Sequence, residues 1–168
     1  MNIEIFPLDK VLIDGVSVFL GADRSTVEAA IGAGELAGKR YYYYKGNMAV
    51  DYDSSDKVKF IEFLGGVDGE LHPVIYGVPA FETTADKLTE LLTEKNNGEI
   101  DDSEHGYSYG FLNISVGVYR TRIPDDIEDM IEDAEEDGEE LDDEDIEFER
   151  RKADHWATIG IGVKDYYR

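Results

Sequence analysis

Aromatic and β-branched residues fill positions 40–45, 47–53 and 57–63, and Lys-Gly-Asn and Asp-Ser-Ser-Asp turn chemistry separates these runs. The pattern predicts three antiparallel strands with tight connections. Just upstream, Val27, Ala30 and Ile31 share one face of a short helix. The S-x-x-E spacing of Ser25 and Glu28 predicts a capping box at its start, and Gly32 predicts its end. The second half presents the same order. Ala85, Leu88, Leu91 and Leu92 form an apolar stripe behind a capping-box-like Thr83 to Asp86 spacing, and a polar loop is expected over 96–104. Strand patterns then follow at 106–111, 113–119 and 156–163. The expectation is one α+β domain, 1–168, with a helix and a three-stranded meander repeated at about 11–64 and 71–163.

The second meander is interrupted. Residues 121–155 stand where the first half needs only a turn, so the last hairpin carries a long insertion. Pro124 followed by Asp125 and Asp126 favours a helix start, with carboxylates near the positive end of the helix dipole. Ile127, Met130, Ile131 and Ala134 follow at i, i+3, i+4 and i+7, and Gly138 marks the stop. A second short helix is expected from about 142 to 151.

Charge singles out the same insertion. The 168 residues carry 39 Asp plus Glu against 16 Lys plus Arg, a net charge of −23. Residues 125–149 hold 17 of those acids and no Lys or Arg, so the remainder has 39 − 17 = 22 acids against 16 bases. The acidity is local, unlike a carboxylate coat spread over the whole surface. A field of this sign repels phosphate backbones and anionic lipid, so neither nucleic acid nor membrane is an expected partner. With no cysteine, thiolate metal sites, disulfides and thiol nucleophiles are excluded. The first residues lack a basic segment followed by an apolar run, and no stretch is apolar enough to span a bilayer, which gives a cytoplasmic expectation.

The residues of the first unit resemble a known repeat. Leu20 with Gly21, Ser25 to Val27, Ile31 with Gly32, Tyr42 with Tyr43, Met48 to Asp53 and Lys57 with Val58 look like the repeat of β-lactamase-inhibitor-protein-like domains. The resemblance covers 11–64 and, more loosely, 71–163. It implies tandem units whose helices cover one face of a curved antiparallel sheet while the other face holds a partner protein. Small bacterial immunity and inhibitor proteins are similar in that sense. No catalytic residues come with that family.

Motifs for chemistry fail on context. Gly106, Ser108 and Gly110 match G-x-S-x-G, with His155 as a conceivable base, but a nucleophile elbow needs a strand before it and a helix after it. Here a polar loop precedes and a strand pattern follows. Residues 51–62 imitate a calcium loop, yet Asp56 stands where the turn requires glycine. His72, His105 and His155 have no metal-ligand spacing. No enzymatic activity, metal or cofactor is expected.

Tyrosines are the better interface candidates, because each brings area, few torsions and a hydroxyl. Strand alternation sends Tyr41 and Tyr43 to one face and Tyr42 and Tyr44 to the other. The expected function is a cytoplasmic immunity protein or inhibitor that occludes a basic partner such as a nuclease toxin. Tyr41, Tyr43, Tyr107 and Tyr109 are its expected anchors, and Asp129, Asp133, Glu136 and Glu140 its charge partners. A non-catalytic scaffold domain is the alternative, and a hydrolase using carboxylates is the third.

Overall fold

In the computed structural model, which describes Met1–Arg168, the chain opens with β1 (Ile3–Phe6), β2 (Lys10–Ile13) and β3 (Val16–Phe19), followed by α1 (Arg24–Ile31). Next come β4 (Glu35–Ala37), β5 (Arg40–Tyr43), β6 (Met48–Tyr52) and β7 (Val58–Phe63). The second half runs β8 (Pro73–Ile75), β9 (Val78–Pro79), α2 (Ala85–Asn96), β10 (Ile100–Asp101), β11 (Ser108–Phe111) and β12 (Val116–Tyr119). It closes with α3 (Pro124–Glu136), α4 (Asp143–Asp154) and β13 (Thr158–Gly162).

The class is α+β, with two sheets. The larger has the order β10-β11-β12-β13-β7-β6-β5-β4, with every neighbour antiparallel, and the smaller has the order β3-β2-β1-β8-β9. In the smaller sheet β1 pairs parallel with β8, so the start of the chain is stitched between the two halves. This second sheet was not expected from the sequence, nor were the short edge strands β4 and β10.

One apolar cluster of 26 buried residues joins both sheets to α1 and α2. Ile5, Val11 and Ile75 enter it from the small sheet, Met48, Ile61, Phe111 and Ile161 from the large one, and Val27, Leu88 and Leu92 from the helices. Side chains of successive strand residues alternate between faces, so the large sheet puts one face into this core and turns the other outward.

Neither expected capping box forms. The cap of α1 is Asp23, and Glu28 turns away to accept from the Gly34 amide (3.0 Å) and the Tyr43 hydroxyl (2.9 Å). The cap of α2 is Thr84, whose hydroxyl accepts from Lys87 N alone. The Tyr43 hydroxyl and the Gly34 amide thus take the carboxylate that a capping box would have returned to the start of the helix. Gly32 (φ 98°) and Gly138 (φ 71°) do follow the ends of α1 and α3, in backbone regions that favour glycine. Asn96, expected in a loop, is a buried end of α2. Its carboxamide accepts from the amides of Asn113 (2.8 Å) and Ile114 (3.2 Å), which ties the β11–β12 hairpin to the helix.

Candidate functional site

The helices α3 and α4 lie between β12 and β13 and form an acidic lobe on the large sheet. Ile127, Ala134 and Ala153 are buried but lie outside the main core cluster, so the lobe has a thin apolar seam of its own. Two small alanines in that seam let the helices approach closely, and they leave little apolar area to hold the lobe in place. Polar anchors at both ends therefore matter.

The first anchor is at the start of α3. Asp126 accepts from the Ile123 amide (3.0 Å), and the hydroxyl of Tyr107 donates to its two oxygens (2.8 and 2.7 Å). The second anchor is Arg120, only 6% exposed. Its guanidinium donates to the carbonyl of Gly106 (3.0 Å) and to that of Ala153 (2.5 Å), in the last turn of α4, and lies 4.7 Å from the centre of the Trp156 ring. Trp156 in turn donates from its indole N–H to the Ala85 carbonyl at the start of α2, and Tyr109 meets it edge-on at 5.7 Å. A continuous chain of contacts thus runs from the core to the lobe.

The Tyr107 hydroxyl, and then the Ile123 amide, hold the Asp126 carboxyl below the usual carboxylate range. The strut therefore contributes stability at and above the unfolded-state value of about 3.9, and that contribution is lost as pH falls through the lower folded-state value. Acid titration followed by far-ultraviolet circular dichroism is expected to show a loss of helix in this window that Asp126→Asn removes. Identical acid curves for the two proteins would contradict the strut.

Compensating cations gather at the root of the lobe. Arg122 pairs with Glu149 (3.3 Å), Arg150 with Glu128 (3.7 Å) and Arg151 with Asp68 (3.7 Å). Asp129, Asp133, Glu136 and Glu140 are exposed and take part in no ion pair. The last turn of α3 has no basic residue, so the negative end of its dipole adds to this field. Asp129 and Asp133, four apart on α3, repel each other. With Asp137 and Glu139 they border a cavity of about 390 Å3 that Met130 and Leu141 also line. Glu136 and Glu140 lie outside it.

The tyrosines occupy different places from those expected. Tyr43 is buried, with its hydroxyl 2.6 Å from that of Tyr52, and burial raises its pKa and lifts that of Tyr52 to about 12. It is no surface anchor. Tyr41 is half-buried against Tyr52 and beneath the Arg24 guanidinium (4.7 Å), Tyr107 is the strut, and Tyr109 packs on Trp156. Alternation also stops at Tyr43, because Tyr44 and Lys45 adopt positive φ in the hairpin turn. Tyr41, Tyr43 and Tyr109 face the core, while Tyr107 reaches the lobe; which face of the sheet is covered was not specified by the alternation alone.

Ser108 sits in β11 opposite Tyr119, and the next element is β12, so a strand follows the G-x-S-x-G pattern. No group of three or more His, Asp or Glu side chains is placed to hold a metal ion. No helix is long and apolar enough to cross a membrane. Sequence reasoning missed Arg120 and Trp156 as the hinge of the lobe. It also missed the glycines at outward-facing strand positions, where a glycine signals close approach of another group.

Fold and site together define an α+β protein that presents an anchored acidic helix pair. No family model, curated protein or solved structure matches the chain.

Proposed function

We propose that the chain is a cytoplasmic protein-binding module, an inhibitor of the immunity-protein kind, which neutralises a basic protein such as a nuclease toxin by covering its site. The observation that supports this most is the set of exposed, unpaired carboxylates on and just after α3, on a lobe fixed to the sheet by Tyr107 and Arg120. A fixed negative surface steers a cationic partner during encounter, and binding relieves the repulsion among its carboxylates. Fixing the helices in advance also removes an ordering cost that a disordered acidic tail would incur on binding. In this reading Tyr107, and Tyr109 through Trp156, support the lobe from behind, and Tyr41 and Tyr43 pack within the first half of the chain.

The test replaces Asp129 and Asp133 by Asn, and Glu136 and Glu140 by Gln, and measures association with a cationic nuclease domain by stopped flow. The association rate at low salt is expected to fall about ten-fold, and most of its salt dependence to vanish. An unchanged rate and salt slope would contradict the proposal.

A further inference from the structure

The helix α4 has an inner and an outer face. Ile146, Glu149 and Ala153, at i, i+3 and i+7, are its least exposed positions and turn towards the seam of the lobe. Glu144, Asp145, Phe148, Arg151 and Lys152 gather on the other side, at i−4, i−3, i, i+3 and i+4 about Phe148. All five are exposed, and Phe148, at 42%, is the only exposed large apolar side chain of the lobe. The charges on this face are ordered, with the acids before Phe148 and the bases after it. Glu144 and Asp145 take part in no ion pair, and Arg151 and Lys152 make only long ones, of 3.7 Å each, to Asp68 and Glu149. The helix dipole favours acids in the first turn and bases in the last, but it gives no reason for an exposed phenyl ring midway between them. Beside that ring opens a groove of about 520 Å3, bordered by Glu144, Phe148, Arg151 and His155.

We infer that this face of α4 binds the same face of a second copy of the chain, with the two helices antiparallel about a two-fold axis at Phe148. That pairing sets Glu144 opposite Lys152, and Asp145 opposite Arg151, of the second copy. Each contact occurs twice, and the two phenyl rings meet at the axis. A parallel pairing would set acid against acid and base against base, so the charge order fixes the direction. A partner carrying one sign of charge would be repelled along half of the helix, whereas a second copy supplies the complementary order. The face is short, roughly 18 Å for the 12 residues of α4, which is less than a stable dimer needs, so the association is weak. The net charge of −23 opposes it at long range. At about 0.15 M salt, however, exposed charges more than about 8 Å apart are largely screened, while pairs in contact are not. Asp129, Asp133, Glu136 and Glu140 do not border the groove, so the dimer uses a different surface from the acidic one described above.

Sedimentation velocity of the full chain in about 0.15 M salt, from about 5 to about 500 μM, tests the pairing. The mean mass is expected to rise from monomer towards dimer, with half-association at roughly 100 μM. Glu144→Lys and Lys152→Glu, both at exposed positions, each set like charges opposite one another and are expected to weaken association about ten-fold or more. In an equimolar mixture of the two variants, only the mixed dimer has opposite charges at both contacts. The mixture is expected to recover the affinity of the unsubstituted chain to within about three-fold, which misfolding of either variant could not produce. Phe148→Ser is expected to weaken association about five-fold. A monomer at every concentration, single variants that associate as well as the unsubstituted chain, or a mixture no better than either variant alone would overturn the pairing.

Discussion

Replacing Arg120 by methionine is expected to destabilise the protein by about 3 kcal/mol, the range found when a buried charged hydrogen-bond donor is removed. For a chain of this size that lowers the melting temperature by roughly 6–12 °C. Burial disfavours the charged form and lowers the Arg120 pKa, and no carboxylate contacts the guanidinium. The charge is tolerated because two carbonyl dipoles, the negative end of α4 and the Trp156 face all point at it. Methionine fills much of the space of the aliphatic stem but donates nothing. It leaves the Ala153 and Gly106 carbonyls without this partner and removes the tie between α4 and the sheet. Lysine keeps the charge but cannot reproduce the fork, so Arg120→Lys should cost about half as much. Trp156 is the only tryptophan. Its emission spectrum therefore reports the contact directly, and an unchanged spectrum and melting temperature in Arg120→Met would show that the tie is idle.

The second large effect lies on the opposite face of the sheet. Tyr167→Ala is expected to cost about 2–3 kcal/mol, because the ring covers two strands and meets Phe60 and Tyr166 edge-on. Gly117→Ala should cost a similar amount for the same reason. A Cβ on Gly117 would overlap the Tyr167 hydroxyl and lie 2.7 Å from its ring carbon Cζ, so the ring must leave. The two changes act on one contact and should not add. In a Tyr167→Ala background the Gly117→Ala change is expected to be neutral or slightly stabilising, since alanine orders a strand better than glycine does. Chemical denaturation of the four proteins measures the coupling. Additive losses would mean that the Tyr167 ring and Gly117 do not depend on each other.

What the sequence made legible was local. The start of α3 was readable from Pro124 and the Ile127 to Ala134 stripe, the strands over 40–63 from residue type, and two helix ends from Gly32 and Gly138. Features that depend on distant partners were not readable. Strands β1 and β8 pair across the two halves of the chain, and nothing near Ile3 or Pro73 encodes that partner. Tyr43 and Tyr42 alternate whichever face is buried, and only the placement of α1 decides in favour of Tyr43. Arg120 beside an acidic run resembles an ordinary surface cation. Its burial follows from Trp156, which is remote in sequence but adjacent once β12 and β13 pair. The carboxylates Asp129 and Asp133 were legible because exposure and helical spacing suffice to place them. The struts that fix them were legible as residues but not as roles.

The central claim is that α3 and α4 form an ordered lobe held against the sheet. Amide hydrogen exchange on the full chain at neutral pH tests it without a partner. The amides from Ile127 to Ala134 are expected to exchange at least about a hundred-fold more slowly than an unfolded peptide, and to lose that protection in Arg120→Met while Ile61 and Ile161 keep theirs. Exchange at unfolded-peptide rates throughout 124–154 in the unsubstituted protein would contradict the account.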